Sequence, residues 1–213
     1  MRTSVISRAA AAGIAAGALA LSLIAAPATQ AADGTTSLAT VLKAGQAKFD
    51  RDFADYDILT KAVEAVLAAK PDSPVSVLAD GNTELTAFIP NDQAFINLAS
   101  ALTGKNVKTE RAAFRAVAGL GIPTVEQVLQ YHVVPGAPIL SQDALKANGA
   151  RLSTALEGKN IRVRVNESKP SITLVDAATK LPNPKVILSQ VDINKGNKQV
   201  AHGIDAVLLP MNP

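Results

Sequence analysis

Two histidines, His132 and His202, are the only imidazoles in the chain, and there is no cysteine. Tyr131 stands beside the first, and Asp192 and Asp205 bracket the second. These side chains could serve as metal ligands, as a general acid and base, or as a recognition surface. Metal binding by two histidines without thiolates would need carboxylate help, and no Asp or Glu stands at ligand spacing to either. Each histidine is therefore expected to be buried or half-buried, with its ring nitrogens bonded to main chain or a neighbouring side chain near a sheet edge. His202 alternates with Val200 and Ile204, as a polar residue lining a core would. Tyr131 is expected to pack its ring and place its hydroxyl on a buried partner. Asp205 is read as a backbone-bonding residue at a turn. Asp192 reads equally as an exposed recognition carboxylate and as a cap.

Other chemistries lack their sequence marks. There is no Gly-x-Ser-x-Gly turn, phosphate loop, dinucleotide fingerprint or His-Glu-x-x-His helix. A serine triad needs no sequence proximity, yet no serine sits on a recognisable nucleophile turn. The absence of Cys removes disulfides, thiolate zinc sites and a cysteine nucleophile. No Trp is present, and all seven aromatics lie between Phe49 and Tyr131, so stacking platforms for bases or sugars are scarce. Asn166-Glu167-Ser168 matches a glycosylation sequon. Lys185, Lys195 and Lys198 read as a solvated basic loop.

The first 32 of the 213 residues carry Arg2 and Arg8, no acid and thirteen alanines. An apolar run over residues 9–26 is followed by small residues, with Ala-x-Ala-like cleavage points after Ala28 and after Ala31. This is the layout of a secretory signal peptide, taken as residues 1–31, with 32–36 as a polar linker. Without Arg2 and Arg8 the chain has 19 basic against 18 acidic side chains. That near-neutral balance speaks against a nucleic-acid partner. No later apolar run is long enough to span a membrane. No cofactor is expected.

The elements that must position these groups change character along the chain. Helices are expected over residues 37–44, with Ser37 as N-cap, and from a cap at Asp57 to Lys70, where Leu59, Val63, Val66 and Leu67 share a face. Further helices are expected from Pro90-Asn91 to Gly104 and over residues 109–120. Another follows a capping box at Thr124 and Gln127. Residues 46–55 are charged and ambiguous. Strands are read at 75–78 and 85–89. A short helix is expected from Ser141. Antiparallel strands are then read at 151–156, 161–165, 172–175, 186–188 and 200–209. Helices first and strands later indicate an α+β fold in one domain, residues 37–211.

Three segments carry a resemblance. Thr86-Ala87-Phe88-Ile89-Pro90-Asn91-Asp92-Gln93-Ala94-Phe95 is a strand that turns at Pro90 into a helix. Phe88 and Phe95 face the core, and Asn91 or Asp92 accepts from the first helix amides. This segment resembles the first signature box of the fasciclin family. Tyr131-His132-Val133-Val134-Pro135-Gly136 resembles the family's Tyr-His segment. Asp192-Ile193, followed by residues 200–210 with His202, Asp205 and Pro210, resembles its second box. Asn197-Lys198-Gln199 replaces the usual Asn-Gly there, and the loop before His202 is longer by one residue. The resemblance implies a wedge-shaped β-sandwich with helices packed on it. It also implies a secreted, non-enzymatic adhesion or interaction module at the cell surface, envelope or matrix. Its partner would be an extracellular protein or an envelope polymer, and without cysteine or a sorting motif the chain itself would associate with the wall non-covalently. In animal members integrin binding is associated with positions matching Tyr131, His132, Asp192 and Ile193. The Ala-rich leader suggests a high-GC bacterial source, where integrin binding would be incidental. Two other readings stay open: a binder of a small ligand or glycan in a groove, and a hydrolase of envelope polymer.

Overall fold

The computed structural model describes residues 34–45 and 47–213, within the compact unit Ala31–Pro213. The leader and its cleavage points lie outside the described residues. Helix α1 (Leu38–Ala44) starts where Ser37 Oγ accepts from Thr40 N at 3.2 Å. Helix α2 (Asp57–Ala69) buries Ile58, Leu59, Ala62, Val63 and Val66; Leu59, Val63 and Val66 belong to the expected stripe, and Leu67 is half-buried. Asp57 is its first helical residue rather than its cap. Tyr56 takes the cap position with no side-chain bond.

The strand expected at 75–78 is instead a 3-10 helix, Pro74–Ala79. Ser73 Oγ accepts from Val75 N, and Pro74 fixes φ in the first turn. This local chemistry overrides the β-branched pattern. Strand β1 (Leu85–Pro90) then leads through Asn91 into α3 (Asp92–Thr103). Asn91 Oδ1 accepts from Ala94 N at 2.9 Å, and Gly104 ends the helix with φ 65°. Helix α4 (Glu110–Ala118) follows Thr109 as cap. Helix α5 (Ile122–Tyr131) begins at Gly121, with Pro123 in its first turn. Thr124 and Gln127 therefore lie inside the helix and form no capping box. Proline in the first turn, after a glycine at φ 83°, moves the start forward.

β1 is the middle strand of a three-stranded sheet, between β2 (Val133–Pro135) and β6 (Gln199–Ile204). β2 runs antiparallel to it. β6 runs parallel, placing Phe88 opposite His202 and Thr86 opposite Val200. The expectation of purely antiparallel strands in the second half therefore fails at β6. Every residue of β1 and β6 is buried, as in strands covered on both faces. A short helix α6 (Ser141–Ala144) precedes the second sheet, a β3-β4-β5 meander of Arg151–Ser153, Asn160–Asn166 and Ser171–Val175. In β4 the inward Ile161, Val163 and Val165 alternate with outward polar residues. Residues 186–188 form a single bridge, Val186 to Ile204, and no strand.

The alternation in β1 sorts two cores. Leu85, Ala87 and Ile89 pack with the helices. Phe88 packs with Tyr131, Ile161, Val163, Leu174 and Ile204, joining the two sheets. Helices thus cover one face of the first sheet and the meander covers the other.

Candidate functional site

Tyr131 ends α5 and is fully buried. Its hydroxyl donates to the Asn160 carbonyl at 3.0 Å, pinning the helix to the second sheet. Burial and the Asp176 charge push the phenol up to about 12. His132 follows, 4% exposed. Its Nδ1 lies 2.7 Å from the Val128 carbonyl, and its Nε2 lies 3.0 Å from the Leu208 N–H that donates to it. That pair of partners requires the neutral ring protonated on Nδ1. Burial pushes its pKa down to about 4, partly opposed by the Val128 carbonyl.

His202 on β6 has the opposite tautomer. Its Nε2 faces the Ile139 carbonyl at 2.8 Å, and its Nδ1 accepts from Asp192 N at 3.3 Å. Burial holds it below the ordinary histidine range despite Ile139 and Asp192. Asp192 itself sits at φ 55° in a loop that also holds Asn194 at 67° and Gly196 at 91°. Non-glycine residues in this region are strained and persist only when surroundings hold them. Those holds are specific. Both Asp192 oxygens accept from Ser141, one from its backbone N–H and one from its hydroxyl, each at 2.7 Å. Burial would raise this carboxyl, but the Ser141 donors and His202 hold it below the usual range. Ile193 exchanges two backbone hydrogen bonds with Ala201. Asn194 Nδ2 donates to the carbonyls of Thr36 and Gln199, and Asn197 Oδ1 accepts from Thr36 N.

Of the four residues matched to a binding role, Tyr131 and His132 are buried, and Asp192 and Ile193 are half-buried. The Tyr-His pair is not alongside Asp192, because β1 lies between β2 and β6. The connection is made by the segment after β2. There Ile139 N donates to Thr86 Oγ1, its carbonyl meets His202, and Ser141 meets Asp192. Asp192 therefore holds the start of α6, a role its sequence left open. Asp205 is exposed, and its Oδ1 accepts from Lys185 N at 2.7 Å. Gln199, where the family pattern departs, is fully buried. It ties three elements together, donating to the Val77 and Asp80 carbonyls and accepting from Leu38 N. Nothing in its neighbourhood in sequence marks this role.

A cavity of about 270 Å³ opens among the helices, walled by Leu59, Ala62, Phe95, Leu98, Val117, Leu129 and the last residues of the chain. Its walls are almost wholly apolar. Elsewhere the folding of distant segments gathers carboxylates that sequence spacing did not single out: Asp50, Asp55 and Asp57 in one group, and Asp57, Asp92 and Glu110 in another. Among the described residues no helix is long and apolar enough to cross a membrane.

With this geometry in place, comparison with known proteins is specific at the family level. The model of the Fasciclin domain matches residues 57–210. Among solved structures, the FAS1 domain pair of the insect cell adhesion molecule fasciclin I aligns at 22% identity with a TM-score of 0.44. The alignment covers 70% of this chain and 44% of that one, so the chain spans under half of that domain pair. No curated protein sequence matches.

Proposed function

Because the chain belongs to the fasciclin domain family, whose members are generally cell-adhesion modules, we propose that it is a secreted, non-enzymatic interaction module. It acts at the cell surface, envelope or matrix of a bacterial source, on an extracellular protein or envelope polymer. One observation carries this reading. The side-chain atoms of His132, His202, Tyr131 and Asp192 that could transfer protons are engaged by fixed partners, most of them backbone groups. They rigidify a surface and leave no free general base among themselves. The surface that Asp192 and His202 rigidify is the recognition face: segment 135–145 together with loop 192–196. Pro135, Gly136, Ala137, Leu145 and Lys195 are exposed there, Asp192 and Ile193 hold the loop side, and Tyr131 and His132 anchor the preceding end of α5. Pre-organisation of this kind lowers the entropy lost on binding.

The test is retention of the purified chain on envelope fractions of its own source. Leu145→Glu and Lys195→Glu, both at exposed positions, should fold normally and lose retention. Full retention in both folded variants would exclude this face. The helix-side cavity, a little under the usual ~300–1,000 Å³ of ligand pockets, supports a second reading, a carrier of a small apolar ligand, because such sites are concave and mostly apolar. Displacement of a fluorescent fatty acid analogue, abolished in Ala62→Phe, would favour it over the adhesion reading.

A further inference from the structure

Three helices begin at one point, and each begins with an acid. Asp57, Asp92 and Glu110 are the first residues of α2, α3 and α4. They are 4%, 0% and 1% exposed. Each spends one oxygen on a neighbouring amide. Asp92 Oδ1 accepts from Ile58 N at 3.0 Å, Glu110 Oε2 from Asp50 N at 2.6 Å, and Asp57 from the Lys48 amide. The other oxygen of each (Asp57 Oδ2, Asp92 Oδ2 and Glu110 Oε1) is buried and meets no amide or hydroxyl donor, and the same is true of Asp55 Oδ1, although the Asp55 and Asp92 carboxyls face each other. The loop that carries Asp55 is itself fixed, since Asp92 N donates to the Asp55 carbonyl and Gln93 N to that of Phe53.

Buried carboxylate oxygens without a donor are costly, and several like charges together are more so. The positive ends of three helices offset part of this cost. Side-chain cations offset little. Lys61 attracts Asp57, yet it pairs with Glu64 at 3.1 Å. Arg111 lies over the Phe49 ring, 5.5 Å from its centre. Around the cluster stand Asp50 and Asp52, both exposed and both acidic. Burial pushes Asp92 up to about 8 and Asp55 up to about 6, with neighbouring acids adding to both. Asp55 and Asp92 face each other closely enough to share a proton. The cluster therefore has two ways to settle its charge: it keeps protons, or it exchanges them for a cation.

The distances suit a cation. One oxygen each from Asp57, Asp92 and Glu110 lie within 4.8 Å of one another, and so do oxygens from Asp50, Asp55 and Asp57. Oxygens on opposite sides of Ca²⁺, with bonds of 2.3–2.6 Å, stand about 4.8 Å apart. The donors are all hard carboxylate oxygens, with no imidazole or sulfur, which excludes zinc and copper preference. Irregular placement from three helices and a loop fits Ca²⁺ better than Mg²⁺, which needs a regular octahedron and keeps its waters. We propose that Asp57, Asp92 and Glu110 form a binding site for one Ca²⁺ ion that pins the starts of α2, α3 and α4 together, with Asp50 and Asp55 adding negative charge beside it.

The probe is CaCl₂, with MgCl₂ for comparison, added to the chelator-treated chain at neutral pH. Calorimetry in two buffers of different protonation enthalpy should give one ion per chain, with release of protons. The dissociation constant should be at or below the ~10⁻⁴–10⁻³ M range of extracellular modules. The thermal midpoint should rise by roughly 5–10 °C at about a hundredfold excess over that constant. Asp92→Asn and Glu110→Gln should each weaken binding at least tenfold. Should either variant fail to fold, Tb³⁺ on the unaltered chain gives an independent reading. Its emission should be excited through Tyr56, displaced by Ca²⁺, and lost in Tyr56→Phe while the Ca²⁺ effect on the midpoint persists. Absence of a saturable response below about 10 mM Ca²⁺ would overturn the proposal and leave a proton-sharing structural network. Undiminished binding in both folded variants would overturn it as well, placing the ion elsewhere.

Discussion

Acidification should unlock His132. In the folded chain its Nε2 accepts from Leu208 N, so a proton added there sets two N–H groups against each other in a buried site. Burial puts its folded pKa at about 4, against 6.5 for the free side chain. Below 6.5 the unfolded chain takes up a proton that the folded chain refuses until about pH 4. Stability from this group is therefore complete above pH 6.5 and declines as pH falls through that window. At 1.36 kcal/mol per pH unit the loss is about 3 kcal/mol. Asp55 and Asp92 act in the opposite sense, because their raised folded pKa values make the folded chain bind protons first. The measurement must cancel them. Urea unfolding of the native chain and of His132→Gln at pH 7, 6, 5 and 4 does so. The advantage of the native chain over the variant should shrink by about 3 kcal/mol across the series. A constant advantage, or an NMR titration of His132 centred near 6.5, would refute this reasoning.

Other perturbations test other parts of the structure. Phe88→Ala removes a ring at the junction of both sheets and should cost about 3–5 kcal/mol in denaturant unfolding, whereas the exposed Leu145→Ala should stay within ~0.5 kcal/mol. Asp192→Ala leaves the Ser141 amide and hydroxyl without their acceptor, for a loss of about 1–3 kcal/mol and faster hydrogen exchange at Ser141. In Gly81→Ala the new methyl would overlap the Thr35 carbonyl. Backbone must shift, and a loss of at least ~2 kcal/mol should appear in thermal unfolding. In chelator, the native chain should lose stability as pH rises through about 8, where folded Asp92 ionises; Asp92→Asn should flatten that slope.

What could be read from the residues alone follows a physical line. Features set by a few adjacent residues were legible: the Ser37 and Asn91 caps, the Pro90 corner, the glycine end at Gly104, and the alternation of Ile161, Val163 and Val165. Where two local rules competed, pattern lost to backbone chemistry. Ser73-Pro74 made a 3-10 helix of a β-branched run, and Gly121 with Pro123 started α5 before its apparent box. Features set by distant segments left little trace. The parallel seating of β6 on β1 needs the whole intervening chain. Asp57, Asp92 and Glu110 are each ordinary first-turn acids, and only the meeting of three helices makes them a cluster. The acidic residues 50–57 were the one available sign. The burial of both histidines, by contrast, followed from their apolar neighbours and the absence of companion ligands.

The most direct test of the interaction-module reading is a binding isotherm of the purified chain on intact cells and isolated envelope fractions of its source. The expected result is saturable retention that competes with unlabelled chain, survives in the folded Ala62→Phe variant, and is lost with Leu145→Glu and Lys195→Glu. Retention by no fraction, together with tight displacement of the apolar probe from the helix-side cavity, would contradict it and assign the chain to ligand carriage.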